Sequence, residues 1–293
     1  MEKAGDSNRI TREYFDSILL EARYWDSDLP STDVTLFGRR FETPIATAAL
    51  SHLDRVCPGG AAKMAAEALA AGALHFTGMG NEAELEALIK TGAATVKIIK
   101  PLEEDTAVFR KIEHACQSGA AAVGMDIDHA FSASGGYDNV LGLQMHAKTS
   151  RQLREYVKAS SLPFVVKGVL SVRDAEVCME AGVGGIVVSH HHGIMPSAVP
   201  PLMLLPEIVK VTGHRIPVFV DCGVESGIDA FKALALGADA VCVGRHLMPY
   251  LKEDGAVAAR LREMTGELRS VMARTGAASP RDIDPAVLHF RAF

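Results

Sequence analysis

From residue 44 onward, short continuous apolar runs alternate with longer stretches rich in Ala, Glu and Lys that repeat apolar residues at helical spacing. Runs at 44–49, 73–77, 95–100, 120–126, 163–168, 185–189, 216–221 and 240–244 read as strands. Stretches at 60–71, 82–90, 103–118, 150–160, 172–181, 201–212, 227–236 and 255–274 read as helices. Strands such as VKGVL, GIVVS and VFVD lack the alternation of a half-exposed sheet, and suit parallel strands covered on both faces. Strand–helix alternation leaves a doubly wound sheet or a closed barrel. Eight units without a break in composition predict the barrel: an α/β fold with a single (βα)8 TIM barrel over 44–293 as one domain. Residues 1–43 form a short N-terminal extension, with a helix at 12–22 and a hairpin at 34–41 turning at Gly38-Arg39. Both are expected over the N-terminal end of the barrel. The connection at 129–148 is longer and Gly-rich (FSASGGYDNVLG), which marks it as a candidate active-site lid.

Composition narrows the function classes. The 293 residues are 48% hydrophobic and 23% charged, ordinary globular values with ample chain for a large core. A formal net charge of −6 points away from a nucleic-acid partner. No run of 18 apolar residues suggests a membrane span, and residues 1–8 are polar and acidic rather than signal-like. Cys57, Cys116, Cys178, Cys222 and Cys242 are scattered singly, as reduced thiols in a cytoplasmic protein would be.

In such a barrel the chemistry belongs at the C-terminal strand ends. Those ends carry Ala48-Ala49-Leu50-Ser51-His52, Thr77-Gly78, Lys97 to Lys100, Asp126-Ile127-Asp128-His129, Lys167, Ser189 to Gly193, Asp221-Cys222-Gly223 and Gly244-Arg245. Polar groups placed after buried apolar runs need partners or a function. The last two ends open helices with Gly-containing turns and an arginine fork, the makings of a phosphate cradle. On the plainer reading these glycines only permit tight turns and Arg245 pairs locally.

The stretches VVKGVLSVRDAEVCMEAGVGGIVVSHHHG and PVFVDCGVESGIDAFKALALGADAVCVGR resemble the FMN-dependent α-hydroxy-acid oxidase and dehydrogenase family. The similarity is dense over 163–246 and collinear back to about residue 33. The resemblance implies FMN as cofactor, a small-molecule substrate and a homo-oligomer, often a tetramer. It implies His191 as the base that takes the substrate hydroxyl proton while hydride passes to the flavin, a task suited to a pKa near operating pH. Lys167 matches the lysine at the flavin pyrimidine edge and Ser189 a flavin-edge contact. Ala48, Ala49 and Leu50 match the backbone against the ring, Thr77 a hydroxyl reaching it, and Lys97 the position of a glutamine that does so. Asp221, Gly223, Gly244 and Arg245 match phosphate and ribityl contacts, and Gly193 completes the cofactor set.

Several positions depart from that pattern. Ile194 stands where the family places a substrate-clamping arginine, and His129-Ala130-Phe131-Ser132 offers no second one. Ile99 replaces a tyrosine; Cys222 replaces a glycine and Glu225 an arginine in the phosphate turn. Isoleucine cannot do the work of a bidentate arginine, so a simple 2-hydroxy acid is not the expected substrate. Either the substrate lacks a carboxylate or Lys97, Lys100, His52 or His129 anchors it instead, and Asp128 would bind a hydroxyl or orient His191. The backbone, Ser226 and Arg245 would hold the phosphate. No metal is expected, although His190 or His192 with Asp126, Asp128 or His129 has the donor types for one. Rival readings are a flavin isomerase of the type 2 isopentenyl diphosphate isomerase kind, a metal-dependent barrel aldolase or epimerase, and a flavin-binding protein without turnover.

Overall fold

A computed structural model describes residues 5–291. Helix α1 (Ser7–Ser17) begins at Asp6, whose carboxylate accepts from the Asn8 amide at 2.9 Å. It therefore starts and stops earlier than the expected 12–22, because Ile18-Leu19-Leu20 go extended as β1 (Ile18–Leu20). That strand pairs antiparallel with the C-terminal Leu288–Phe290, tying the two ends of the described chain together. The hairpin forms as expected from β2 (Val34–Leu36) and β3 (Arg39–Phe41). Its turn lies one residue earlier, at Phe37-Gly38, where both φ values are positive (50° and 73°) as a two-residue hairpin turn requires. Phe37 adopts this strained geometry while its ring stacks on Phe219 at 5.9 Å.

The barrel follows as β4 (Ile45–Thr47), α2 (Gly60–Ala70), β5 (His75–Thr77), α3 (Glu82–Lys90), β6 (Thr95–Ile99), α4 (Asp105–Ser118) and β7 (Ala122–Asp126). A small ribbon, β8 (Asn139–Val140) with β9 (Leu143–Gln144), interrupts the pattern. Then come α5 (Ser150–Ala159), β10 (Phe164–Val169), α6 (Val172–Ala181), β11 (Gly185–Val188), α7 (Pro201–Thr212), β12 (Val218–Val220), α8 (Gly227–Ala235), β13 (Ala240–Val243) and α9 (Ala256–Thr275). Eight parallel strands run in the order β4-β13-β12-β11-β10-β7-β6-β5. The remaining seam is closed by a bridge between Leu50 and Thr77 and by the Thr47 amide on the Leu74 carbonyl at 3.1 Å. The Thr47 hydroxyl adds an acceptor for the Phe76 amide at 3.2 Å, so a side chain serves where the short strand lacks a carbonyl. The fold is the predicted α/β barrel.

Inside it, Phe219 meets Phe76 edge-on at 5.2 Å, and Ala46, Val96, Ile98, Val165 and Val187 fill the space around them. Leu36, Phe37 and Phe41 of the hairpin pack onto the same cluster, which closes the N-terminal end. Helix α1 lies elsewhere, against the loops that follow β11 and β12: Asn8 donates to the His192 carbonyl and Arg12 to the Gly223 carbonyl. The expected helix over the bottom of the barrel is thus at its catalytic end. Between β7 and α5 the lid candidate is fastened to the loop after β6, with the Glu103 amide on Gln144 O and the His146 amide on Pro101 O. Met145 is fully buried beneath it, while Phe131, Tyr137, Leu141 and Leu143 are exposed.

Candidate active site

The strand ends open into a solvent-connected cleft, at the end of the barrel where such folds carry their ligand sites. Its lining includes Ala48, Ala49 and Leu50 from the loop after β4, and Lys167 and His191. Cys222, Gly223, Glu225, Gly244, Arg245 and His246 line its other end. A second hollow, beside the hairpin, is lined by charges that answer one another, as Arg40 does Asp33 at 2.7 Å.

Lys167 ends a run of buried valines on β10. Its ammonium lies 3.2 Å from Ser189 Oγ, 3.3 Å from Asp221 Oδ2 and 4.0 Å from Asp126 Oδ1. Burial alone would depress its pKa, but the carboxylates of Asp221, Asp126 and Asp128 outweigh it and raise it, so the cation is held. Asp221 is correspondingly kept ionised against its own burial, chiefly by Lys167. Ser189 also accepts from the His191 amide at 3.0 Å.

Beyond β11 the chain turns through three residues of positive φ, His191 (48°), His192 (55°) and Gly193 (76°). This turn sends the three histidines apart. His190 is buried, with Nδ1 accepting from the Gly193 amide and Nε2 2.8 Å from Thr11 Oγ1. His192 is exposed on the rim and its amide donates to Cys222 Sγ. His191 faces inward, with Nδ1 2.9 Å from Asp128 Oδ1, 3.1 Å from Asp126 Oδ1 and 3.4 Å from Lys167 Nζ. Two carboxylates at Nδ1 fix the proton there, which leaves Nε2 as the basic nitrogen. Burial and Lys167 push the His191 pKa down, and the hydrogen bonds to Asp126 and Asp128 overcome both, for a net rise.

The two carboxylates differ. Asp126, 2.5 Å from Lys100 Nζ, stays ionised well below the usual range because Lys167, His191 and Lys100 surround it. Asp128 has one oxygen, Oδ2, buried without a partner, and burial together with Asp126 pushes its pKa up to about 6. Space for it comes from Gly168, which sits at φ +92° in a bulge of β10; a Cβ there would lie 2.6 Å from Asp128 Cγ.

The remaining predicted residues sort clearly. Thr77 and Lys97 are buried side by side in register at the ends of β5 and β6. Lys97 donates to the Gly78 carbonyl at 2.5 Å and burial lowers its pKa to about 8. Lys97 is not among the residues lining the cleft, its charged neighbours being Glu84 of α3 and Lys111 of α4, and Lys100 is directed to Asp126. His129 gives Nδ1 to Asp138 of the lid at 2.9 Å while its ring packs edge-on against His191 at 4.4 Å. Ser226 caps α8, its hydroxyl engaged by the amide and carboxylate of Asp229. His52 lies in the left-handed region just before the turn at Leu53–Arg55. Asp126, His129 and His191 bring ligand atoms within 4.8 Å of one another, but a cation there would confront the ammonium groups of Lys100 and Lys167.

Sequence reasoning misses what α1 does here. Thr11 reaches His190, and Arg12 binds the Gly223 carbonyl and Asp229, contacts spanning about 180 to 220 residues that no local signal announces.

The profile of the FMN-dependent dehydrogenase family matches residues 2–155 and 137–290. The chain belongs to this family. An L-lactate oxidase of Roseobacter sp. (strain GAI101) is 41% identical over 150 residues, 50% of this chain and 40% of that protein. Glycolate oxidase 3 of Arabidopsis thaliana is 44% identical over 127 residues, 42% of this chain and 34% of that protein. These matches span less than half the length of either relative. A crystal structure of mandelate oxidase superposes with a TM-score of 0.89 at 26% identity, covering 99% of this chain and 92% of that one. A mutant of mandelate oxidase solved with a monooxide FMN adduct gives 0.88 at 29% identity, over 99% and 93% of the two chains.

The cleft suits the family's cofactor. Arg245 projects from the start of the segment after β13 with no acidic partner among the described residues. Gly244 brings the backbone close, because a Cβ would lie 3.3 Å from that of Ala48. Lys167 is a held cation lining the cleft, the kind of group that would offset negative charge on a reduced flavin.

Proposed function

We propose that this protein is an FMN-dependent oxidoreductase that oxidises a hydroxyl-bearing carbon to a carbonyl. The observation that carries the reading is the lock on His191: Nδ1 within 3.1 Å of two carboxylates, with Nε2 left as the base. His191 takes the hydroxyl proton at Nε2, and Asp126 and Asp128 stabilise the imidazolium this creates. The carbon–hydrogen bond gives up its hydrogen with both electrons as the C=O bond forms. FMN, when bound, supplies the acceptor for that hydride. Ala48, Ala49, Leu50, Lys167, Ser189, Asp221, Gly223, Gly244 and Arg245 are the residues assigned to hold it, with Thr77 and Gly193 around them.

The substrate is read as something other than a simple 2-hydroxy acid. Arg245, at the β13 end, is the arginine among the residues lining the cleft, and isoleucines stand at 99 and 194. Lys100 and Lys167 disfavour the metal-dependent alternative, and the acidic Glu225 disfavours a diphosphate-binding isomerase. Anaerobic mixing with a panel of alcohols, polyols and hydroxy acids tests the reading. Bleaching of bound flavin by a member without a carboxylate supports it. Reduction by lactate or glycolate alone overturns the substrate assignment, and no bleaching by any member favours binding without turnover.

The proposal includes one barrel domain over 44–293 behind the 1–43 extension, and a cytoplasmic location supported by five free thiols. Among the described residues no helix is long and apolar enough to cross a membrane. A homo-oligomer, tetrameric by family likeness, is checked by light scattering on the eluted protein.

A further inference from the structure

At its phosphate end the cleft is walled by the turn after β12 on one side and by Arg245 and His246 on the other. Glu225 in that turn brings negative charge to a place meant for an anion. Its backbone is nevertheless firmly set: the amide donates to Asp229 Oδ2 at 3.1 Å and the carbonyl accepts from Arg260 Nη2 at 2.7 Å. Arg260 comes up from α9, only 12% exposed, with Nη1 on Glu263 at 2.7 Å and Glu267 at 3.3 Å.

The same guanidinium donates from Nε to His246 Nε2 at 3.0 Å. A guanidinium N–H can only donate, so Nε2 is the accepting nitrogen and the ring proton sits on Nδ1. Burial, and after it Arg260, lowers the pKa of this imidazole and keeps it neutral in that tautomer. The ring is half-buried, lines the cleft, and its Nδ1–H has no acceptor among the described residues. An oriented donor beside an unpartnered arginine is a site prepared for an anionic oxygen.

Resting on the FMN reading above, we propose that His246, oriented by Arg260, is a ligand of the cofactor's phosphate monoester. With Arg245 it replaces the basic side chain that Glu225 displaces. Arg260 acts through His246: its charge polarises the ring and strengthens the Nδ1–H as a donor.

Titrating the flavin-stripped full chain with FMN and with riboflavin, followed by quenching of flavin fluorescence, tests this. The two ligands differ by the phosphate. His246→Ala is expected to weaken FMN about tenfold, the scale of one hydrogen bond to a charged group, and to leave riboflavin unchanged. Arg260→Met is expected to lose the same preference. His246→Asn, which returns an N–H close to the Nδ1 position, is expected to restore most of it and to guard against an Ala variant that merely unfolds. Equal losses for both flavins, or full FMN affinity in His246→Ala, overturn the inference. A wild-type chain that binds neither flavin overturns the FMN reading itself.

Discussion

The two sides of the barrel mouth are built on different principles. On the β10–β13 side, small residues and left-handed turns shape the wall; Lys167 and Asp221 pair with each other, and Arg245 has no acidic partner among the described residues. On the β6–β7 side, Lys100, Asp126 and Asp128 form a buried network in which nearly every charge is answered by another. The first side is a receptacle, with donors left over for a ligand. The second is a support that spends its charges on holding His191, while Ile99 packs outward with Val108 and Ile112 of α4. On the proposed reading, cofactor binding and the chemistry at His191 are therefore expected to be separable.

Substitutions that strike one side and spare the other test that separation. His191→Ala should slow reduction of the flavin by substrate about 10³-fold, within the 10²–10⁴ span of a positioned base. FMN should stay bound, as its absorbance in the eluted protein would show. Loss of flavin together with rate would merge the two sides and break the comparison.

Lys167→Met should come next, since it strands Asp221 and Asp126 around an apolar group. Removing one partner of buried charges costs about 3–5 kcal/mol, read as a lower urea midpoint. A midpoint equal to wild type would mean that the ammonium is not the hub of the network.

Asp128→Asn should cost roughly tenfold in kcat/KM and move its pH profile. His191 must be neutral to accept a proton, so activity falls as pH drops through its pKa. That pKa is raised, which puts the acid limb above the usual value of about 6.5. Removing one of the carboxylates that raise it should shift the limb to lower pH. An unmoved limb would assign the titration to another group. Gly168→Ala, which crowds the Asp128 carboxylate rather than deleting it, should give a smaller shift in the same direction.

Much of this organisation is legible in the order of the residues. The helices at 82–90, 172–181 and 201–212 fall on the predicted residues: Asn81 and Ser171 cap the first two, and Pro201 at the first helical position starts the third. Helix 103–118 begins two residues late, at Asp105, whose carboxylate binds Lys148, Gln152 and Tyr156 across the lid junction. The receptacle side is readable because its residues lie in two contiguous stretches. The support side is not: Lys100 and Asp126 meet because parallel strands set them side by side, and spacing along the chain does not encode that. The same limit hides the place of α1, which is fixed by Thr11 and Arg12 at the far end of the sequence from their partners.

Everything proposed for the mouth of this barrel depends on its holding FMN above Lys167. The visible absorption spectrum of the purified chain, repeated after incubation with FMN and removal of the excess, tests that directly. The two bands of oxidised flavin are expected at close to one equivalent per chain, with FMN released on acid precipitation. A colourless protein that takes up no flavin in the second step would contradict it.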